Sequence, residues 1–253
     1  ARSAENVLEE LRYLRARGIR DIYFSDQTFA YNPARAKKIF QAMIDERMNF
    51  GWVAFYRVDL VREEMLLLMK RAGCHTLMFG IESSSEKLLK EYDKNIKITT
   101  IRSALALCRK VNIRTVGTFI LGFPNETKSD IESTIQFSLE LPLDYASYNL
   151  PVPRSLTQLR KDAVAGQIVG QTSEIALMKM DQSGKHTTMG NKYVSSEELY
   201  ALRNSAIRRF YTRPSYLFRR IVSIRTFDEL KTNFWDGLTL LREAFRKFDR
   251  NGD

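Results

Sequence analysis

Five clusters of polar or glycine-containing residues, each closing an apolar run, hold the side chains in this sequence best equipped for chemistry. They are Ser25-Asp26-Gln27, Arg57-Val58-Asp59, Gly80-Ile81-Glu82-Ser83, Gly122-Phe123-Pro124-Asn125 and Asn149-Leu150-Pro151. Among them they supply three carboxylates (Asp26, Asp59 and Glu82) and one guanidinium (Arg57). Carboxylates accept hydrogen bonds from hydroxyl and ammonium groups, and a glycine lets a ligand approach the backbone. Asp, Asn, Ser and Gly also favour turns in their own right, so one such cluster would be ordinary turn chemistry. Arg57 and Asp59 could equally pair with each other across a strand end. Five clusters in succession point to a shared ligand site.

The apolar runs that lead into these clusters must position them. Strand patterns are read at about 21–26, 50–58, 76–81, 115–122 and 145–150, alternating with helical patterns. Ser3 is expected to cap a first helix whose stripe is Val7, Leu8, Leu11 and Leu14, with a stop at Gly18. Asn32-Pro33 opens a second helix carrying Ile39, Phe40, Met43 and Ile44. A third starts near Glu63 and ends at Gly73. A fourth, capped by Thr99 or Thr100, carries Ile101, Ala104, Leu105, Cys108 and Val111. Thr127 with Asp130 reads as a capping box for a helix bearing Ile131, Ile135 and Leu139. Such alternation predicts an α/β fold with a parallel sheet, open or closed as a partial barrel. In these architectures ligands bind at the carboxyl ends of the strands, which is where the five clusters fall.

The pattern changes after Pro153. Residues 154–194 read as a connector, poor in apolar periodicity from 166 onward. Residues 195–253 read as a basic helical region that opens with a Ser195/Glu198 capping box, breaks at Pro214 and ends in a helix at about 226–248. Of the net charge of +10, residues 1–150 carry +3 and residues 151–253 carry +7. Seven arginines (203, 208, 209, 213, 219, 220 and 225) stand between Leu199 and Phe227 without one carboxylate. That stretch is read as a surface that is solvated or docks another part of the protein, or as one that binds an anionic partner such as nucleic acid. No apolar run reaches the roughly 18 residues that cross a bilayer. The opening residues lack the apolar core of a signal peptide, and the absence of an initial Met suggests a fragment. Two cysteines make no disulfide framework, so a cytoplasmic, reducing setting is expected.

The strand-end motifs resemble those of radical S-adenosylmethionine (radical SAM) enzymes. Phe24-Ser25-Asp26-Gln27-Thr28-Phe29, Tyr56-Arg57-Val58-Asp59, Gly80-Ile81-Glu82-Ser83 and the run from Gly117 to Thr127 carry the resemblance. It is strongest to the branch with an N-terminal cobalamin-binding domain, such as the anaerobic magnesium-protoporphyrin ester cyclases. Arg2-Ser3-Ala4-Glu5-Asn6-Val7 is similar to the segment that follows the cluster loop in that branch. Arg209-Phe210-Tyr211-Thr212-Arg213-Pro214 is similar to a helix break in its C-terminal region.

The resemblance implies a partial (β/α) barrel in residues 1–153 that lacks its first strand. It implies S-adenosylmethionine (SAM) and a 4Fe–4S cluster as cofactors, and cobalamin through an absent domain. A small-molecule substrate and a reductant such as flavodoxin or ferredoxin would be the partners. Carried over by motif, Ser25 and Asp26 face the methionine amino group, Lys94 the methionine carboxylate, Arg57 that carboxylate or the substrate, Glu82 the ribose hydroxyls or the amino group of SAM, and Thr118 the ribose. Gly122 and Leu150 offer backbone to the adenine. The cysteine triplet that holds the cluster is absent. Cys108 sits on an apolar helical stripe and Cys74 reads as structural, so the chain alone is expected to be inactive. Asp26-Gln27 replaces a more usual acidic pair, and Pro151-Val152-Pro153 replaces a Pro-Gly-Thr turn. Two other readings compete. One is a non-catalytic scaffold that binds an anion through its arginines; the other is an unrelated barrel hydrolase or lyase using Asp26, Asp59 and Glu82.

Overall fold

The structure is a computed structural model that describes residues 2–26, 28–165 and 190–223, with isolated positions beyond 230. Its centre is one five-stranded sheet: β1 (Asp21–Phe24), β2 (Gly51–Tyr56), β3 (Cys74–Glu82), β4 (Arg114–Ile120) and β5 (Tyr145–Asn149). The strands lie in chain order, and the registered pairs β1–β2 and β2–β3 are parallel. Helices α1 (Ala4–Ala16), α2 (Pro33–Asp45), α3 (Glu63–Arg71), α4 (Glu86–Glu91), α5 (Ile98–Lys110) and α6 (Lys128–Glu140) alternate with them. Three helices follow the sheet: α7 (Gln158–Val164), α8 (Ser196–Tyr211) and α9 (Pro214–Ser223). A sheet whose order never reverses is wound in one direction, as in a (β/α) barrel, and has no doubly wound switch point. The expected partial barrel of parallel strands is therefore present. No described helix is long and apolar enough to cross a membrane.

The chain divides into two compact units, the first comprising Ala1–Ile81, Glu86–Thr118 and Leu141–Tyr145. Local signals act there as read from the sequence. Ser3 Oγ accepts the Asn6 N–H at 3.2 Å, and Asn32 Oδ1 accepts that of Arg35 at 3.0 Å, with Pro33 opening α2. The core is aromatic. Trp52 is fully buried, stacks on Phe40 at 5.4 Å and meets Phe24 and Phe29 edge-on. Its indole N–H donates to the Ala72 carbonyl at 2.8 Å, so the ring also fixes the end of α3. One expectation is corrected: neither Thr99 nor Thr100 caps α5, whose N-cap position is Lys97. The Ile98 N–H instead donates to the Glu86 carboxylate at 2.7 Å. A carboxylate is the stronger acceptor, and it comes from α4, a short helix that sequence periodicity did not separate.

The second unit comprises Glu82–Ser85, Phe119–Glu140 and Ala146–Asp253. Both expected capping boxes form. Thr127 N–H donates to Asp130 Oδ2 at 2.9 Å while Asp130 N–H donates back to Thr127 Oγ1 at 3.3 Å, and Ser195 with Glu198 does the same. Phe119 stacks on Tyr148 at 5.5 Å, and Tyr148 meets Phe210 of α8 edge-on. The arginine-rich stretch is partly turned inward. Arg203 is buried and donates to the Tyr148 carbonyl at 2.9 Å, and Arg209 pairs with Glu132 at 2.7 Å. Arg213 donates to the Leu139 carbonyl at 2.5 Å and lies 3.9 Å over the Phe210 ring. Three of the seven arginines thus bind this unit's own acceptors, which takes cations away from the anionic-partner reading. Most of the expected connector and final helix, residues 166–189 and 226–248, lie outside the continuously described residues.

Replacing Trp52 by Phe keeps the aromatic packing but strands the buried Ala72 carbonyl and leaves a gap. An unsatisfied buried acceptor costs about 1–3 kcal/mol. Urea denaturation should show a loss on that scale with an unchanged m-value; an unchanged midpoint would refute the role given to the indole N–H.

Candidate functional site

The residues singled out from the sequence fall in both units. In the first, Ser25 and Asp26 follow β1, are exposed, and line a cleft of about 650 Å³ between α1 and β1. Val7, Leu11 and Leu14 form its apolar side, while Arg2, Glu10 and Arg35 give it charge. Arg2 pairs with Glu10. Arg57 follows β2 and makes a two-point contact with Asp59, at 3.0 and 2.8 Å. That contact holds the Asp59 carboxyl below its ordinary range. The pairing considered from sequence is therefore real, and it engages one of the three carboxylates that a hydrolase would need. Thr118 stands on β4 with its hydroxyl donating to the Phe79 carbonyl at 3.4 Å. Lys94 is half-buried in the turn after α4.

In the second unit, Glu82 closes β3 with φ of 66°, a left-handed conformation that non-glycine residues seldom adopt. The turn beyond it is fastened to α6: Ser83 Oγ and the Ser84 N–H both meet Thr134 Oγ1 at 3.2 Å. Gly122 also has positive φ, at 97°. A Cβ there would collide with the side chain of Leu199 on α8, so glycine is required both by the backbone and by that packing. Leu150 follows β5 and is buried.

Two residues of this region were not picked out from the sequence. Glu126 is fully buried, and its Oε2 accepts the N–H groups of Gly122 at 2.7 Å and Phe123 at 3.1 Å. Its other oxygen is buried without a hydrogen-bond partner among the described residues. Burial pushes its pKa up to about 7; the two amides oppose the shift and Asp130 adds to it. Asn191 donates its side-chain amide to the carbonyls of Phe123 at 2.7 Å and Glu126 at 2.8 Å. Glu126 lies in the motif already quoted, four positions after Gly122, and a carboxylate at that spacing could have been read as a turn anchor. Asn191 had no signal, because it stands among the polar residues read as a connector.

Both cysteines are buried, and burial drives the thiol of Cys108 up to about 12 and that of Cys74 higher still. Two buried cysteines 34 positions apart fall short of the several close thiolates that a four-iron cluster wants. Among the described residues no three His, Cys, Asp or Glu side chains converge as a metal site.

Comparison with known proteins decides the family. The model of the radical SAM superfamily matches residues 1–138, more than half of the chain. The chain belongs to the radical SAM superfamily. Among similar proteins, an uncharacterized methyltransferase of Pyrococcus horikoshii is 35% identical over 87% of this chain and 47% of its own length. The anaerobic magnesium-protoporphyrin IX monomethyl ester cyclase of Synechocystis is 24% identical over 86% of this chain and 43% of its own length. Among solved structures, the radical SAM methyltransferase TsrM of Kitasatospora setae, with cobalamin and a 4Fe–4S cluster bound, aligns with a TM-score of 0.64. It is 17% identical over 96% of this chain and 55% of that one. The radical SAM chain described here thus spans about half the length of these relatives.

The Glu126 carboxyl gives a pH signature. Its pKa rises from 4.5 to about 7 on folding, so the stability it contributes is full below 4.5 and falls as pH rises through about 7. Glu126→Gln keeps an acceptor for the two amides and removes the titration. Thermal unfolding from about pH 5 to about pH 8 should show the wild type losing on the order of 3 kcal/mol relative to the variant. Parallel pH profiles would refute the burial of an ionisable carboxyl.

Proposed function

We propose that this chain is the SAM-binding core of a radical SAM enzyme. The whole protein would cleave SAM reductively at a 4Fe–4S cluster to start radical chemistry of the methyl-transfer or oxidative-cyclisation class. The observation that carries the reading is the superfamily match over residues 1–138, the stretch containing four of the five polar strand ends. The cluster does not fit the described residues of this chain, since Cys74 and Cys108 are both buried and no three His, Cys, Asp or Glu side chains converge among those residues. On this reading its thiolates belong to another part of the protein.

SAM does fit the donors and acceptors present. Asp26 suits the methionine ammonium through a charge-assisted hydrogen bond, with Ser25 beside it. Arg57 and Lys94 suit the methionine carboxylate; Asp59 keeps the Arg57 fork in one orientation before the ligand arrives. Glu82 accepts two ribose hydroxyls at once, and Thr118 supports the ribose. Gly122 and Leu150 present backbone to the adenine edge. Residues 1–153 form the core, 154–194 the connector and 195–253 the helical region. Among the described residues β1 pairs only with β2, and its other edge beside the apolar cleft supports a core whose first strand is supplied from outside this chain. A small-molecule substrate and a reductant protein such as a flavodoxin or ferredoxin complete the reading. A cobalamin domain is suggested by the likeness to TsrM, whose structure has cobalamin bound.

Glu82 separates function from folding. In protein carrying this chain together with cluster-binding cysteines, Glu82→Gln should slow release of 5′-deoxyadenosine about 10- to 100-fold with the fold intact, since a charged hydrogen-bond partner is worth roughly 1.5–3 kcal/mol. Glu82→Gly should abolish release yet leave stability unchanged or raised by up to about 1 kcal/mol, because glycine relieves the left-handed backbone. Turnover that survives either change would remove Glu82 from the site, and a wild type that releases no 5′-deoxyadenosine would remove the function itself.

A further inference from the structure

We propose that Asn191 is a positioning residue for the cofactor site, acting through the turn at residues 122–126; the inference rests on the radical SAM reading above. That turn carries Gly122, the backbone assigned to the adenine. It is anchored from within by Glu126, whose Oε2 takes the Gly122 and Phe123 N–H groups. From the end of the connector it is anchored by Asn191, whose single side-chain NH₂ donates to the carbonyls of Phe123 and Glu126. The two anchors bind opposite polarities of the same backbone, one its donors and the other its acceptors. Together they leave the turn little freedom to rotate a peptide plane.

Asn191 is itself held in place. Its Oδ1 accepts the N–H groups of Tyr193 at 2.8 Å and Val194 at 2.9 Å, and its backbone N–H donates to the Val194 carbonyl at 2.9 Å. Every hydrogen-bonding atom of the amide therefore has a use, with the oxygen directed to its own turn and the nitrogen to the 122–126 turn. Leu199, at the start of α8, fills the space where a Gly122 Cβ would lie. A segment far along the chain thus sets the shape of a loop that the sequence places in the core. The end of the connector and the start of α8 accordingly serve the cofactor site as well as the stability of their unit.

The two halves of the amide can be tested separately. Asn191→Asp keeps the oxygen for Tyr193 and Val194 but sets a second oxygen against the two carbonyls. Asn191→Ala removes both functions. In the full protein with its cluster, both variants should raise the KM for SAM about tenfold, the scale of one lost hydrogen bond, with kcat for 5′-deoxyadenosine release changed less. Independently of activity, hydrogen exchange at the Gly122 and Phe123 amides should quicken in both, with exchange in β1 and β2 unchanged. An Asp variant that matches wild type in KM and exchange would overturn the proposal, since the oxygen alone would then suffice. A fall in kcat and melting temperature at unchanged KM would also overturn it, by showing a purely structural role. Wild-type protein that makes no 5′-deoxyadenosine would instead sink the radical SAM reading, and this inference with it.

Discussion

A parallel sheet wound in chain order imposes one constraint from which the rest of this molecule follows. Each strand must return through a helix on the outside before the next can pair, so every strand delivers its carboxyl end to the same edge of the sheet. Backbone groups at that edge have left one ladder without yet entering the next helix. They need other partners, because a buried unpaired N–H or C=O is costly. The chain meets this need differently at each crossing. After β3 the Thr134 hydroxyl of α6 takes up the Ser83 and Ser84 turn. After β4 a buried carboxylate takes two amides and a side-chain amide takes two carbonyls. Residues chosen for these duties are polar and fixed in place, which is also what a ligand site requires.

The arginines show how charge density misleads when carbonyl geometry is hidden. Seven cations without a carboxylate look like a surface awaiting an anion. Arg203 and Arg213 instead reach carbonyl oxygens, of Tyr148 in β5 and of Leu139 in the last turn of α6. The carboxyl end of a helix carries partial negative charge, so a cation there is stabilising without any acidic side chain. Burial lowers the Arg213 pKa, and the Phe210 ring beneath the guanidinium offsets part of that cost. The local sequence contains the cation and the ring but not the carbonyl, which arrives from 74 positions away.

What the sequence made legible is what depends on neighbours within about one helical turn. Strand placement, the caps at Ser3, Asn32 and Ser195, and the reciprocal box at Thr127 all follow from short-range chemistry, and all are present. The α5 start was misassigned because its acceptor, Glu86, stands twelve residues upstream on another helix. Asn191 was invisible for the same reason, since its partners lie 65 and 68 positions earlier. At the candidate site the strand ends were legible as positions. Their internal partnerships, Arg57 with Asp59 and Thr118 with Phe79, were open or hidden because either group could equally have faced a ligand.

Two of those strand ends need a left-handed residue and resolve the need in opposite ways. At the β4 turn the position is Gly122, and the space its side chain would fill is given to Leu199. Strain is avoided there, and what the turn presents is backbone. At the β3 end the position is Glu82, where a side chain is retained at φ of 66° against a cost of order 1–3 kcal/mol. Glycine would satisfy the backbone at both places, so steric need alone does not explain the difference. Ala30, Arg47, Asn49, Asp93, Asn112 and Leu156 also have positive φ, so the conformation by itself assigns the carboxylate no role. The cofactor role proposed for Glu82 therefore rests on a carboxylate at the end of β3 within the matched superfamily stretch, and not on its dihedral.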